Sequence, residues 1–335
     1  MIRLLIVDDS AFMRRIISDM LKDVKEITIV GTARNGKEAL EMIPKLNPDV
    51  VSLDVEMPIM NGIKTLEIIR EKYKIPVIML SSNTNSEITI EALEKGAFDF
   101  IEKPTNINEN IEELKNDLAS KIIASVLKRK GKEDFKTQQV KKKVIKNNDL
   151  QIKAIAIGAS TGGPKALVSL IKELPSELGV PIFIVQHMPA GFTTSLASRM
   201  DIESKLKVVE ASDEMVIEKN VVYLAPGDYH MTVGNKKIRL DKREKINGVR
   251  PSVDYLFESA AEVYTNNLLG VILTGMGKDG STGMKRIKEF NGYTIAQDKE
   301  SSTIFGMPQS AIKLGVVDEI LSLNEISQRI IELLR

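Results

Sequence analysis

Short β-branched runs alternate with helix-length amphipathic segments through the first 127 residues. IRLLIV precedes Met13–Leu21, ITIVGTA precedes Lys37–Ile43, and DVVSLD precedes Ile63–Arg70. PVIML then precedes Ser86–Leu93, and DFI precedes Ile107–Leu127. Strands that are apolar at nearly every position are buried on both faces, and strands alternating with helices build a parallel sheet covered on both sides. The first half is therefore expected to be a (βα)5 unit with a parallel, doubly wound sheet. Beyond residue 152 such runs return: AIAIGA before a glycine-rich turn and a helix with Pro164 in its first turn, PIFIVQH, and LLGVILTG before MGKDGSTG. They predict a second α/β domain with a mostly parallel, Rossmann-like sheet. In such sheets ligands bind outside the carboxyl ends of the strands.

Charge separates the two halves. Residues 1–120 carry 15 basic and 21 acidic side chains, residues 121–152 carry 10 and 3, and residues 153–335 carry 22 of each. The basic stretch contains KRKGK and KKK with too few apolar residues to form a core of its own. The expected organisation is a first domain over residues 1–124, a basic linker over 125–151 and a second domain over 152–335. A basic run can touch nucleic acid or anionic lipid, but solvated linkers look the same. The second domain has neither net positive charge nor a helix-turn-helix pattern, so no nucleic-acid partner is expected. The opening apolar run is far short of a signal-peptide core, and no run approaches the ~20 residues of a membrane span. The absence of cysteine excludes disulfides and thiolate metal sites. A cytoplasmic protein without membrane insertion is expected.

The polar residues of the first half fall at the strand ends. Asp8 and Asp9 follow the first strand, Asp54 the third, Ser81 the fourth, and Lys103 with Pro104 the fifth. Each alone has an ordinary reading: a helix cap for either of the first two aspartates, a turn cap for Ser81, a surface charge for Lys103. Gathered together, three carboxylates repel one another unless a hard cation shares them, and Mg2+ takes a few carboxylate oxygens with waters and a phosphoryl group. Lysine and hydroxyl donors beside them suit a transferred phosphoryl group. On these residues, the first domain resembles the receiver domains of two-component response regulators. The resemblance implies that Asp54 accepts phosphate from a histidine kinase, and that Asp8, Asp9, Asp54 and the Glu56 carbonyl hold Mg2+. It further implies that Lys103 and Ser81 contact the phosphoryl oxygens and that Phe100 reorients with them, although a plain core role suits Phe100 equally.

In the second half Ser160 lies between a strand and a helix, inside Gly158–Gly162, which fits G-x-S-x-G. That turn exposes a serine hydroxyl near backbone N–H groups. A structural turn or a phosphate cradle remains open, although G-K-[ST] and G-x-G-x-x-G are both absent there. A serine nucleophile needs a base. The chain has two histidines: His187 at the end of an apolar strand, and His230 within PGDYHM, where a structural hydrogen bond is at least as good a reading. Asp279, at a third strand end, fits either a helix cap or the acid that holds a histidine tautomer. The order Ser160, His187, Asp279 differs from that of α/β-hydrolases.

The runs GASTGGP, QHMP, LAPGDYHM, RPSVD, LTGMGKDG and GMPQSA resemble the catalytic domain of the chemotaxis protein-glutamate methylesterase (CheB) family, and a receiver in front is that family's architecture. The resemblance implies Ser160 as nucleophile, His187 as base, Asp279 as its orienting acid, and the Met276 and Thr161 backbone N–H groups as oxyanion donors. It implies phosphorylation-activated hydrolysis of γ-glutamyl methyl esters on chemoreceptors with release of methanol, deamidation of receptor glutamines, and no cofactor for the esterase. A non-enzymatic response regulator and a nucleotide-binding second domain are the competing readings.

Overall fold

Near-continuous apolar runs become central strands because both of their faces must be covered. In β3 (Val50–Asp54) and β4 (Val77–Ser81) every residue is buried. The computed structural model describes residues 1–103, 111–129 and 151–335. It divides into two units, split between residues 135 and 136.

In the first unit, β1 (Ile2–Val7), β2 (Ile27–Ala33), β3, β4 and β5 (Asp99–Glu102) form one parallel sheet in the order β2-β1-β3-β4-β5. Its helices are α1 (Ala11–Leu21), α2 (Gly36–Leu46), α3 (Gly62–Lys72), α4 (Ser86–Glu94) and α5 (Ile111–Arg129). Side-chain oxygens start three of them: Ser10 accepts from the Met13 N–H, Asn35 from Glu38 and Asn61 from Lys64. The chain order reverses between β1 and β3, which places a crevice beyond their carboxyl ends.

The linker was expected to open at residue 125, but α5 continues to Arg129. Val126 completes an i, i+4, i+8 stripe with Leu118 and Ile122 that shares a buried core with Leu4, Ile6 and Ile101. Pro104 and residues 107–110, which were expected to begin the helix, lie outside the described residues.

The second unit contains a seven-stranded sheet in the order β14-β13-β12-β6-β7-β9-β8, parallel at every pairing. Its strands are β6 (Ala154–Ala159), β7 (Ile182–Gln186), β8 (Lys207–Glu210), β9 (Val221–Leu224), β12 (Leu268–Ile272), β13 (Tyr293–Gln297) and β14 (Glu319–Leu321). An antiparallel ribbon of β10 (His230–Val233) and β11 (Ile238–Asp241) stands apart. The helices are α6 (Gly163–Lys172), α7 (Phe192–Glu203), α8 (Val253–Tyr264), α9 (Ser281–Glu289), α10 (Met307–Lys313) and α11 (Leu323–Leu333). Phe183, Tyr223, Phe257 and Met284 fill the core on one face, the first two rings stacked at 5.8 Å. The strand order reverses between β6 and β12, so the crevice here lies where β12, β6 and β7 end side by side.

Candidate functional site

The carboxyl edge of the first sheet gathers the predicted acidic residues. Asp8 and Asp54 are buried, Asp9 is exposed, and one carboxylate oxygen from each lies within 4.8 Å of the others. Lys103 Nζ lies 2.7 Å from Asp54 Oδ2 and 2.8 Å from Asp8 Oδ2. The buried Asp8 Oδ2 therefore faces the Lys103 ammonium as an ion pair. Burial pushes the Asp54 carboxyl up to about 6, with the Lys103 contact opposing and the Asp8 charge adding. Burial also works against the Lys103 ammonium, yet its contacts with Asp54 and Asp8 hold its pKa above the usual lysine value. Three converging carboxylates are a donor set suited to a hard divalent cation.

The other predicted residues lie on or just beyond neighbouring strands of the same sheet. Glu56 is exposed, two residues beyond β3. Ser81 is buried, and its hydroxyl accepts from Thr89 Oγ1 at 2.5 Å and donates to Ser82 O at 3.1 Å. Phe100 is buried, with Lys121 Nζ 5.7 Å from its ring centroid and 2.8 Å from its carbonyl.

In the second unit Ser160 follows β6, His187 follows β7, and Asp279 lies in the loop between β12 and α9. Backbone bonds continue the sheet past the strand ends: the His187 N–H donates to Ala159 O at 3.1 Å and the Ser160 N–H to Thr274 O at 3.0 Å. Gly162, with φ of 76°, turns the chain into α6. Gly275 allows close approach, since a methyl there would fall 2.8 Å from Ser160 Cβ and 2.2 Å from Met307 Sδ. The Thr161 and Met276 N–H groups have no hydrogen-bond partner among the described residues.

His187 Nε2 bonds Asp279 Oδ2 at 2.7 Å, which leaves Nδ1 as the second ring nitrogen. Ser160 Oγ forms no hydrogen bond among the described residues, His187 included. Asp279 is held on several sides. Oδ2 also accepts from the Val253 N–H at 2.7 Å, while Oδ1 accepts from Ser252 Oγ at 2.9 Å and the Asp254 N–H at 3.2 Å. Three of these donors belong to the first turn of α8 and its cap, so Asp279 caps that helix from outside. Burial alone would raise its pKa, but hydrogen bonds from His187, Val253 and Ser252 hold it below the usual aspartate range. The neighbouring Asp254 is pushed up to about 7 by burial and then by the Asp279 charge. His230 is fully buried, with Nε2 3.1 Å from Glu244 O and Nδ1 accepting from the Ser252 N–H at 3.2 Å. Burial lowers its pKa, consistent with a neutral structural ring fixed by two backbone groups.

Sequence reasoning assigned no role to Ser252, Val253 or Asp254, although they lie in the RPSVD run. The family described as CheB methylesterase matches residues 155–330, and the response regulator receiver domain family matches residues 4–115. The chain belongs to the CheB methylesterase family. It is 46% identical to a Pyrococcus abyssi protein named protein-glutamate methylesterase/protein-glutamine glutaminase, over 98% of this chain and 93% of that one. A Bacillus subtilis protein of the same name is 42% identical, over 98% of each chain. The crystal structure of the Thermotoga maritima CheB methylesterase catalytic domain matches with a TM-score of 0.53 at 47% identity, over 55% of this chain and all of that one. No helix among the described residues is long and apolar enough to cross a membrane.

Proposed function

We propose that this protein is a phosphorylation-activated protein-glutamate methylesterase and protein-glutamine glutaminase of chemotactic adaptation, with Ser160, His187 and Asp279 as its catalytic residues. The observation that carries the reading is the His187–Asp279 bond at the strand-order reversal, one strand end away from a serine on a glycine turn. Ser160 Oγ attacks the γ-carbonyl carbon of a glutamyl methyl ester on a chemoreceptor, and His187 Nδ1, the nitrogen not bonded to Asp279, takes its proton. The fixed Asp279 carboxylate stabilises the imidazolium that forms. The Thr161 and Met276 N–H groups, free of partners among the described residues, donate to the oxyanion. His187 returns the proton to the leaving methoxide, methanol departs, and water attacks the acyl-enzyme under the same base to release glutamate. A glutamine side chain follows the same path with ammonia leaving. Serine–base contacts of this kind tighten when substrate arrives.

In the receiver domain, Asp54 accepts the phosphoryl group from a chemotaxis histidine kinase. Asp8, Asp9, Asp54 and the Glu56 carbonyl would hold Mg2+, which supplies positive charge to the transferring phosphoryl oxygens. Lys103 and Ser81 would bond those oxygens, with Phe100 responding to the change. The domains are assigned as receiver, basic linker and catalytic domain, with the receiver extended through α5 to Arg129. A cytoplasmic location fits a substrate on receptor cytoplasmic helices.

The test is methanol release from a methyl-esterified chemoreceptor cytoplasmic fragment, with and without a small-molecule phosphodonor and Mg2+. Release should vanish in Ser160→Ala, and its rise with phosphodonor should vanish in Asp54→Ala. Full release from Ser160→Ala would overturn the proposed chemistry.

A further inference from the structure

Gln186 joins the two strand ends that carry the proposed nucleophile and base. It closes β7, is 2% exposed, and its Nε2 lies 3.0 Å from Ser160 O and 3.1 Å from His187 O. No other side chain among the described residues bonds to both. Two carbonyl acceptors can be served only by the NH2 group, which fixes the orientation of the amide. Oε1 must then point away, and it is buried with no hydrogen-bond partner among the described residues. It faces Gly163, where an added methyl would fall 2.0 Å from it, while the Gly163 N–H is already engaged with Ser160 O at 2.7 Å.

An orphaned buried oxygen destabilises a core, and a methionine of similar size would fill the space without one. The favourable part of Gln186 is therefore its donor end. On the opposite side of the serine turn, Thr274 accepts the Ser160 N–H and its hydroxyl bonds Thr161 O at 2.9 Å. The turn is thus held from β12 by Thr274 and from β7 by Gln186. We infer that Gln186 is a positioning residue for the hydrolysis: its amide NH2 ties the main chain of Ser160 to that of His187 and so sets the approach of Ser160 Oγ to the imidazole. This rests on the assignment of Ser160 and His187 made above.

The test uses the full-length protein with phosphodonor, Mg2+ and methyl-esterified receptor fragment, comparing Gln186→Met, Gln186→Glu and Ser160→Ala. Misplacement by about 1 Å costs on the order of 100-fold, so Gln186→Met should lower kcat by about 10- to 100-fold with KM changed by less than about threefold. In Gln186→Glu the ionised carboxylate faces two carbonyls, whereas the protonated acid regains one O–H donor. Its activity relative to wild type should rise as pH falls from about 8 to about 6, while the Gln186→Met ratio stays flat. A packing role would not produce that divergence. Wild-type kcat in Gln186→Met, or a flat ratio for Gln186→Glu, overturns the inference; should Gln186→Met fail to fold by circular dichroism, the Gln186→Glu ratio decides alone. Ser160→Ala separates the two levels: an active Ser160→Ala sinks the nucleophile assignment itself, whereas an inactive one beside a wild-type Gln186→Met sinks only the role of Gln186.

Discussion

Replacing Asp279 with asparagine separates its charge from its shape. Four donors converge on the carboxylate: His187 Nε2 and the Val253 N–H on Oδ2, Ser252 Oγ and the Asp254 N–H on Oδ1. Asparagine offers one acceptor oxygen. Placing it toward His187 and Val253 keeps those two bonds, and the Ser252 hydroxyl can rotate to accept from the new NH2. Only the Asp254 N–H then loses its partner, at a cost of about 1–3 kcal/mol. The opposite orientation would orphan both His187 and Val253 and is disfavoured. Part of the cost is offset because Asp254, whose pKa burial and the Asp279 charge together raise to about 7, no longer faces an anion. Catalysis should suffer more. The imidazolium formed during attack loses a unit charge at ~4 Å, which at an effective dielectric of ~20 is about 4 kcal/mol, or roughly a thousandfold in rate. Methanol release by Asp279→Asn should therefore show kcat lower by about a thousandfold with KM little changed, while urea unfolding shows a loss of no more than about 3 kcal/mol. A kcat within tenfold of wild type would refute the reasoning and leave Asp279 as only a cap of α8.

Four further perturbations address other links in the chain. Asp54 is raised from 3.8 to about 6, so the folded receiver holds that proton more tightly than the unfolded chain. Its contribution to stability must fall by about 3 kcal/mol as pH rises from about 4 to about 6, and calorimetry of wild type against Asp54→Asn should show the receiver transition dropping in that window. Wild type that gains stability relative to Asp54→Asn as pH rises through that window contradicts the burial argument. Adding Mg2+ above about pH 6 should recover part of the loss in wild type and little in Asp8→Ala. Val126→Ala should destabilise the receiver by about 2 kcal/mol in urea unfolding, because Val126 is 2% exposed in the core; a change under about 0.5 kcal/mol would return residue 126 to the linker. Gly275→Ala places a methyl against Ser160 Cβ and Met307 Sδ, and it should lower kcat by about tenfold or more while circular dichroism remains native.

The strand ends were legible because the apolar runs are short and the polar residue after each stands out. Ser160, His187 and Asp279 were expected at strand ends in this way, as were Asp8, Asp54 and Lys103, and the structure places them there. Periodicity could not show that β12 lies beside β6, a tertiary choice that puts Asp279 within 2.7 Å of a histidine 92 residues earlier. The donors around Asp279 were missed for a different reason. Ser252 follows an irregular segment with neither the helical nor the strand period, and main-chain donors such as Val253 N–H leave no trace in side-chain type. The N-terminal signal of α8 was present as Ser252 with Asp254, yet its carboxylate partner comes from another loop. The limit of α5 was obscured by Lys128 and Arg129 at its end, whose charge merges with the basic run beyond and masked the stripe through Leu118, Ile122 and Val126.

The two sites gather carboxylates at the same kind of sheet edge and treat their charge in opposite ways. Asp279 receives four hydrogen bonds and its pKa is lowered, while the adjacent Asp254 is the group whose ionisation is suppressed. In the proposed role of a base-orienting acid, Asp279 must stay ionised through every turnover, and a dense shell of fixed donors suits that role. Asp54 has Lys103 as its ion-pair partner, is raised by burial, and shares that lysine with Asp8. Charge held by one lysine, without a shell of fixed donors, suits the exchange proposed above: a carboxylate that is to gain a cation and then a phosphoryl group needs room for new donors. It follows that adding hydrogen-bond donors around Asp54 should stabilise the receiver while impairing phosphorylation, whereas removing them around Asp279 should impair catalysis more than folding.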